Sequence, residues 1–211
     1  LRIGPYLVGV DKIGHFIGQG SYYLNEYIKL GRLHPKQTRA FLHDRLLKYG
    51  HQLETNHLGE AGTGVYSYAD LAANHQGFRF LRSLVSGTKP YLKRDASGRF
   101  QVVRKFRFLD YITDDWDEVL NPSRLRTDTF LKKASQNIVS DVCSDFHLAP
   151  TLFLNATNKR LKRSDYVWSG AMREEEETPN FLDIQKICSN HAQAKVQEHA
   201  VFESDRAIQQ L

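Results

Sequence analysis

The stretch that decides the fold is LETNHLGEAGTGVYSYADLAANHQGFRF, residues 53–80. It leaves one helical pattern, passes through a segment rich in glycine, and enters a second helical pattern. Ser67, followed three residues later by Asp70, forms a capping pair that predicts a helix starting just after Ser67. The segment Thr63–Ser67 places β-type residues beside glycines, and it therefore predicts a short β-hairpin between the two helices.

Two helices are predicted upstream of this stretch. The first runs from Asp11 to Leu30, with Asp11 as its cap, and the second runs from Pro35 to Glu54, with Pro35 in its first turn. The second helix has one buried face at helical spacing, formed by Leu42, Leu46, Tyr49 and Leu53. Glycines weaken an exposed helix, so we expect a neighbour to pack closely against the first helix near Gly14, Gly18 and Gly20.

The downstream half alternates between extended and helical patterns. Residues 90–108 approach a period of two around a turn at 95–98, which predicts an exposed hairpin. Helices are predicted over about 123–146 and 180–210, with a basic surface segment at 155–163 and an acidic loop at 174–177. The fold class is therefore α+β, mostly α, and residues 1–211 are predicted to form a single domain.

Composition limits the class of protein. The chain has 211 residues, 41% of them hydrophobic, which suffices for a compact core, and no run approaches the length of a membrane span. The net charge of +5 suits an anionic polymer as partner, although a solvated basic surface is equally compatible. Cys143 and Cys188 either form one bridge, if the protein is exported, or remain two buried thiols.

Glu54 is the candidate for acid chemistry. It lies seven residues after Leu47 and four after Gly50, which places it at the edge of the apolar helix face. A carboxyl at that edge is partly desolvated, and desolvation raises its pKa, as a general acid requires. The alternative is a structural carboxylate at a helix end, paired with a nearby Lys, Arg or His.

Two other carboxylates compete with Glu54. Glu60 is flanked by Gly59 and Ala61 and is expected to be a loop residue in water, where it could serve as a second carboxylate or bind an amino group. Asp70 belongs to the Ser67 capping pair, yet it could still face a cleft as an ionised group. Either residue can instead be an ordinary structural or surface charge.

The central block resembles the signature of a lysozyme family that includes the enzymes predatory bacteria use against deacetylated peptidoglycan. The resemblance is carried by Glu54, Gly59, Thr63-Gly64-Val65, Ser67-Tyr68-Ala69-Asp70-Leu71, Ala73-Asn74 and Gly77, with Trp116-Asp117-Glu118 and Asn121-Pro122-Ser123 further on. It covers roughly residues 11–124. It implies a lysozyme-like helical domain with a small hairpin at the cleft, Glu54 as catalytic acid, and cleavage between sugars of the glycan strand.

A glycan substrate also needs binding groups around such an acid. Aromatic faces could come from Tyr66, Tyr68 and Trp116, and hydrogen bonds from Thr63, Ser67 and Asn74, although each of these more commonly serves packing or capping. An acidic cleft edge would suit the ammonium groups of a deacetylated glycan, and its candidates are Glu60, Asp70, Asp114, Asp115 and Asp117. We expect an exported monomer that acts on peptidoglycan glycan strands. Any signal segment would lie outside this chain.

Two other classes of function remain open. A metal-dependent hydrolase could use Asp11 and His15, which are spaced i, i+4, with His51 or His57 nearby, although these spacings match no common metal motif. A binding module without catalysis could use the basic runs at 99–107 and 159–163 to hold cell wall or nucleic acid. Serine-hydrolase and phosphate-loop motifs are absent from the sequence. Our prediction is no metal, no cofactor, no nucleic-acid partner and no stable membrane insertion.

Overall fold

The computed structural model describes residues 1–4, 6–56, 58–117, 121, 123–141, 143, 182–184 and 186–194. These residues are mostly helical, with short antiparallel strands, which agrees with the predicted α+β class. The segments predicted at 155–163 and 174–177 lie outside the described residues, as do His57, Glu118 and Pro122. Among the helices that the structure describes, none has both the length and the apolar character to cross a membrane.

The chain builds its elements in a simple order. They are β1 (Arg2–Ile3), β2 (Tyr6–Leu7), α1 (Lys12–Gly14), a π-helical turn (His15–Gln19), α2 (Gly20–Leu33), α3 (Arg39–Asn56), α4 (Glu60–Thr63), β3 (Val65–Tyr66), α5 (Tyr68–Ser83), β4 (Leu92–Arg94), β5 (Phe100–Val102), two 3-10 turns (Phe108–Asp110 and Asp114–Trp116), β6 (Arg124–Leu125) and α6 (Asp128–Asp141). The strands pair antiparallel as β1 with β2, β3 with β6 and β4 with β5.

Helix α5 is the centre of the molecule. Every side chain from Tyr68 to Phe78 is buried, so this helix has protein on all its faces rather than one apolar stripe. The main core forms beside it around the ring of Phe16, which is fully buried and contacts four other rings: Phe80, Phe108, Tyr111 and Trp116. A smaller cluster of Tyr23, Leu46 and Phe78 joins α2, α3 and α5.

The first predicted helix forms, but it is compound. Helix α1, the π-helical turn and α2 together span Lys12 to Leu33. The capping prediction for Asp11 is wrong, because its side chain makes no cap hydrogen bond and contacts Lys12 instead. The expected close packing occurs at Gly20, where an added Cβ would lie 2.7 Å from the backbone of Gly77, but not at Gly14 or Gly18, where nothing lies within 4 Å.

The second predicted helix also forms, but it starts later. Helix α3 begins at Arg39, so Pro35 is not in its first turn, and Thr38 caps it by accepting a hydrogen bond from the Phe41 N–H at 3.2 Å. It ends at Asn56, two residues beyond the predicted end. Its stripe is confirmed, since Leu42 and Leu46 are buried and Tyr49 and Leu53 pack against the α2–α3–α5 cluster.

The hairpin predicted at Thr63–Ser67 is wrong. Residues 60–63 form α4, which Gly64 terminates in the left-handed region at φ +79°, and the strand that follows pairs with β6. The predicted hairpin at 90–108 is confirmed as β4 and β5, closed by Asp95, which accepts hydrogen bonds from the Ser97 and Arg99 N–H groups. Ser67 caps α5 as predicted, accepting from the Asp70 N–H at 3.1 Å.

The two cysteines are bridged. Cys143 lies just after α6 and Cys188 lies in the helical residues 186–194, and the disulfide joins them inside a small cluster with Ile138 and Ile184. Of the two helices predicted in this part of the chain, α6 covers 128–141, preceded by β6 rather than by further helix. The remainder of the 180–210 prediction lies outside the described residues.

The contact of α5 with the π-helical turn gives a stability prediction. An added Cβ at Gly77 would lie 1.8 Å from the Phe16 carbonyl oxygen, a backbone atom that cannot move without displacing the turn. Gly77→Ala should therefore destabilise the protein by at least about 1–3 kcal/mol in urea unfolding. Gly18→Ala is the matched control, because nothing lies within 4 Å of its Cβ position. It should be neutral or stabilising by up to about 1 kcal/mol; equal losses in both variants would contradict the packing argument.

Candidate functional site

The candidate site lies where the end of α3 meets the start of α5. Glu54, in the last turn of α3, is 2% exposed, and its Oε1 accepts a hydrogen bond of 2.9 Å from the Ser67 N–H. Ser67 caps α5, so the same residue orders the helix start and holds the carboxyl. Gly59 covers the other side of Glu54, since an added Cβ there would lie 2.5 Å from Oε1.

Burial decides the protonation of Glu54. The pKa of this carboxyl is raised to about 8; desolvation is the largest cause, and the charge of Asp70 is the second. The Ser67 hydrogen bond and the Lys12 ammonium act in the opposite direction and do not outweigh burial. Glu54 is therefore a carboxylic acid, not a carboxylate, at neutral pH.

A second group of charges lies beside Glu54, where the π-helical turn crosses α5. The Lys12 ammonium is buried and lies 2.7 Å from Asp70 Oδ1 and 3.2 Å from Asp11 Oδ1. His15 extends this group through its Nε2, 3.4 Å from Asp70 Oδ2, while its Nδ1 hydrogen bonds to Asn74 Oδ1 at 2.9 Å. π-Helical turns are frequently found at functional sites, and here the turn brings His15 to α5.

The same group bears on the metal hypothesis. Asp11, His15 and Asp70 can each offer one ligand atom, and these atoms lie within 4.8 Å of one another. The Lys12 ammonium already lies between the two carboxylates, so the protein supplies a cation of its own where a metal ion would bind. His51 belongs elsewhere, because its Nδ1 bonds to the Tyr66 hydroxyl.

The structure corrects the expectation for Glu60. This residue is not a loop charge in water: it lies in α4 and makes a partly buried ion pair of 2.9 Å with Arg124. Residues 124–125 also pair with β3, so the ion pair reinforces a contact between segments far apart in the chain. Glu60 is thereby committed to Arg124 rather than available to a substrate amino group.

The aromatic residues predicted to contact sugar are buried. Trp116 is 0% exposed and packs against Phe16 and Phe108. The Tyr66 ring is 1% exposed, with the Arg124 guanidinium 4.8 Å from its centre. Neither ring presents a face to solvent, which corrects the expectation of aromatic platforms. Thr63, at the end of α4, is exposed to solvent, and its hydroxyl donates to the Gly59 carbonyl at 2.9 Å.

Most of the acidic side chains predicted to form the cleft edge are buried or make ion pairs within the protein. Asp70 pairs with Lys12, Glu60 pairs with Arg124, and Asp115 and Asp117 are buried. Asp114 is half-buried, and its side chain hydrogen bonds to Tyr6. The structure thus brings Glu54, Ser67 and Asp70 together, while the other predicted binding residues serve packing or ion pairs around them.

Two site residues were missed by the sequence analysis. Lys12 was not singled out, although it carries the buried charge opposite Asp70. Tyr23 is fully buried, hydrogen bonds to Asn74, and has a raised pKa through burial and the nearby Glu54. The available signal was Gly50, because an added Cβ there would collide with the Tyr23 hydroxyl. A glycine in the middle of an apolar helix face indicates such a close neighbour.

Comparisons with family models, with curated proteins and with solved structures found no match for this chain. The lysozyme resemblance is therefore carried by the motif residues alone.

Two buried groups give the stability of the protein a pH dependence. Between the ordinary pKa of 4.5 and the folded value of about 8, native Glu54 keeps a proton that the unfolded chain has lost. The free energy of unfolding therefore falls as pH rises through this interval. His75 acts oppositely: burial lowers its pKa from 6.5 to about 3, so stability falls as pH drops through that interval. The Glu54 and His75 slopes offset one another between about pH 4.5 and 6.5. His43, whose pKa burial also lowers, adds to the His75 slope, so stability should be greatest toward the upper end of that interval.

Glu54→Gln tests this assignment without any activity assay. The amide oxygen can still accept the Ser67 N–H, but nothing ionises, so the alkaline loss should disappear. Between pH 6.5 and 8 the wild type should lose about 2 kcal/mol of unfolding free energy relative to the variant, at roughly 1.4 kcal/mol per pH unit. Urea unfolding at several pH values measures this. The control Glu26→Gln, at a residue on α2 paired with Lys29, should keep the wild-type slope. Parallel slopes in the wild type and Glu54→Gln would mean that native Glu54 is ionised.

Proposed function

We propose that this protein is a glycoside hydrolase of the lysozyme type, cleaving the glycan strand of peptidoglycan with Glu54 as general acid. The observation that carries the proposal is the buried carboxyl that keeps its proton near neutral pH. Breaking a glycosidic bond requires a carboxylic acid that protonates the leaving oxygen, and burial is the usual means of keeping such an acid protonated. A purely structural glutamate would gain more from ionising beside a basic partner.

The surroundings of Glu54 support the same chemistry. The motif residues that resemble the lysozyme family converge on it: Gly59 covers the carboxyl, Ser67 holds Oε1, and Asp70 raises its pKa. In the proposed reaction the acid proton passes from Glu54 to the leaving sugar oxygen as the glycosidic bond breaks, water adds to the anomeric carbon, and the proton which that water loses restores the Glu54 carboxyl. Asp70 is a positioning residue here, because its negative charge disfavours premature ionisation of the acid.

Access to Glu54 requires movement of its cover. At 2% exposure the carboxyl cannot contact a sugar while Gly59 and α4 lie against it. Substrate binding would therefore displace the Gly59–Thr63 segment, which exchanges one cover for another and keeps water from the acid. The Glu60–Arg124 ion pair would then act as the tether of that segment.

The substrate partner we propose is bacterial cell wall outside the cytoplasm. The Cys143–Cys188 disulfide supports an oxidising, exported location, and the net charge of +5 supports attraction to the anionic wall. A preference for deacetylated glycan follows from the family resemblance alone, since most acidic side chains near the site are committed to other partners. Equal cleavage of acetylated and deacetylated sacculi would remove that preference and leave the glycosidase proposal standing.

Substitution of the acid is the direct test. Glu54→Gln preserves the Ser67 hydrogen bond and removes the transferable proton, so the release of glycan fragments from purified sacculi should fall at least about 100-fold. Mass spectrometry of the digest measures both the rate and the bond cleaved. Glu26→Gln makes the same substitution on α2, outside the site, and should leave the rate unchanged. If Glu60→Gln abolishes turnover while Glu54→Gln retains it, the acid has been assigned to the wrong residue.

A second candidate function is metal-dependent hydrolysis at Asp11, His15 and Asp70, favoured by the 4.8 Å grouping of their ligand atoms. The two candidates differ in their response to a chelator. Proton transfer from Glu54 needs no metal, so dialysis against a chelator should leave the rate unchanged. Loss of activity on chelation, restored by one divalent metal and abolished in His15→Gln, would favour the metal hydrolase over the glycosidase.

A further inference from the structure

A separate site lies at the other end of the two helices that hold Glu54. A cavity of about 450 Å³ opens between the start of α3, the last turns of α5 and the segment after it. Arg39 is the residue of α3 that lines the cavity. It precedes Glu54 by fifteen residues, so the two residues are about 22 Å apart along the helix at 1.5 Å per residue. The cavity is therefore remote from the proposed acid and needs an explanation of its own.

The walls of this cavity are strongly basic. Within the part of the chain that the structure describes, no lining residue is acidic. Five lining residues are cationic: Arg39, Arg79, Arg82, Lys89 and Arg104. None of the five makes an ion pair with a described carboxylate. Some cations elsewhere in the described chain do have such partners, for example Lys48 with Asp44. Neighbouring cations repel one another, and this repulsion destabilises the folded protein. A bound anion would reduce the repulsion.

Three of the guanidinium groups are held in position. Arg104 lies 3.5 Å from the centre of the Tyr91 ring, Arg82 lies 5.0 Å from that of Tyr27, and Arg79 donates to Gln76 Oε1 at 3.0 Å. Stacking on a ring fixes the plane of a guanidinium while leaving its N–H edges available. The Nε of Arg104 is buried and has no hydrogen-bond partner. A buried donor without an acceptor in the protein is costly, and an acceptor bound in the cavity would remove that cost.

The number of cations favours a particular anion. Among the lining hydroxyl groups, those of Ser83 and Ser86 donate to backbone carbonyls and that of Tyr111 bonds to Tyr91, so the cations supply the recognition. A single carboxylate would neutralise one charge of five and use two acceptor oxygens, whereas linked phosphoryl groups bring several charges and many acceptors. The volume also exceeds the need of one phosphate and falls in the range of small-molecule sites. We propose that this cavity binds a ligand containing two or more linked phosphoryl groups, held by the Arg79, Arg82 and Arg104 guanidinium groups.

Pyrophosphate is the probe for this proposal, with citrate as a carboxylate of similar charge. Calorimetric titration of the intact protein at low salt should show one pyrophosphate site, at least tenfold tighter than citrate and weakened by added salt. Arg39→Gln combined with Lys89→Gln removes two cations that make no described contact with neighbours, and should weaken binding at least tenfold. Lys132→Gln with Lys133→Gln removes the same charge from exposed positions on α6 and should leave binding unchanged.

The outcomes separate the proposal from its rivals. Equal affinity for citrate and pyrophosphate, several weak sites, or equal loss in both double variants would each overturn it in favour of diffuse surface charge. Glu54→Gln should bind pyrophosphate like the wild type, so failure of the glycosidase proposal would leave this one intact.

Competition then distinguishes the source of the phosphoryl groups. Displacement of pyrophosphate by tripolyphosphate but not by a glycerol phosphate oligomer supports a free polyphosphoryl ligand, and displacement by the oligomer supports a phosphodiester polymer.

Discussion

The complete enclosure of helix α5 is the constraint on which the other elements depend. From Tyr68 to Phe78 every side chain is buried, and four of them, Asp70, Asn74, His75 and Gln76, are polar. Buried polar groups need partners. Gln76 accepts from Arg79 of α5 itself, and the partners of the other three come from helices packed against α5. Lys12 and His15 approach Asp70 and Asn74, while His43 Nε2 lies 2.9 Å from His75 Nε2. The approach is close because Gly20 and Gly77 bring the backbones together.

The same enclosure accounts for the acid at the helix start. Ser67 must cap α5 inside the protein, where its own N–H also needs an acceptor, and Glu54 provides one at 2.9 Å. An ionised glutamate at this depth would require a cation of its own, yet Lys12 is already shared by Asp11 and Asp70. Burying Glu54 in its protonated form therefore costs less free energy than burying an ionised carboxylate without a cation. Its raised pKa follows first from burial and then from the neighbouring charges of Asp70, Lys12 and Asp11, and any chemistry at the site builds on both.

Local patterns predicted what local forces determine. The Ser67 cap, the Asp95 turn of the β4–β5 hairpin and the Leu42 and Leu46 stripe depend on residues a few positions apart, and all three were visible in the sequence. The burial of Glu54 was likewise inferred from its place at the edge of that stripe. The failures involve partners distant in sequence. Thr63–Ser67 looks like half of a hairpin, but its strand pairs with β6, and Glu60 looks exposed until Arg124 is placed beside it. The amino-acid composition shows that the chain is rich in cations. It does not show that α3, the last turns of α5 and the segment after α5 bring five of them to one cavity.

The antiparallel arrangement of α3 and α5 separates two electrostatic environments. One end holds a protonated carboxyl among buried, paired charges, and the other holds five cations around an open cavity. About 22 Å of helix lies between them, more than twice the screening length of roughly 8–10 Å at ordinary ionic strength. The cavity cations consequently have little influence on the acid. Its principal pKa determinants are burial, Asp70, the Ser67 hydrogen bond, Lys12 and Asp11, all within its own surroundings. The net charge of +5 is thus a poor guide to the site: the acid is tuned by immediate neighbours, while the basic excess acts at the opposite end of the same helices.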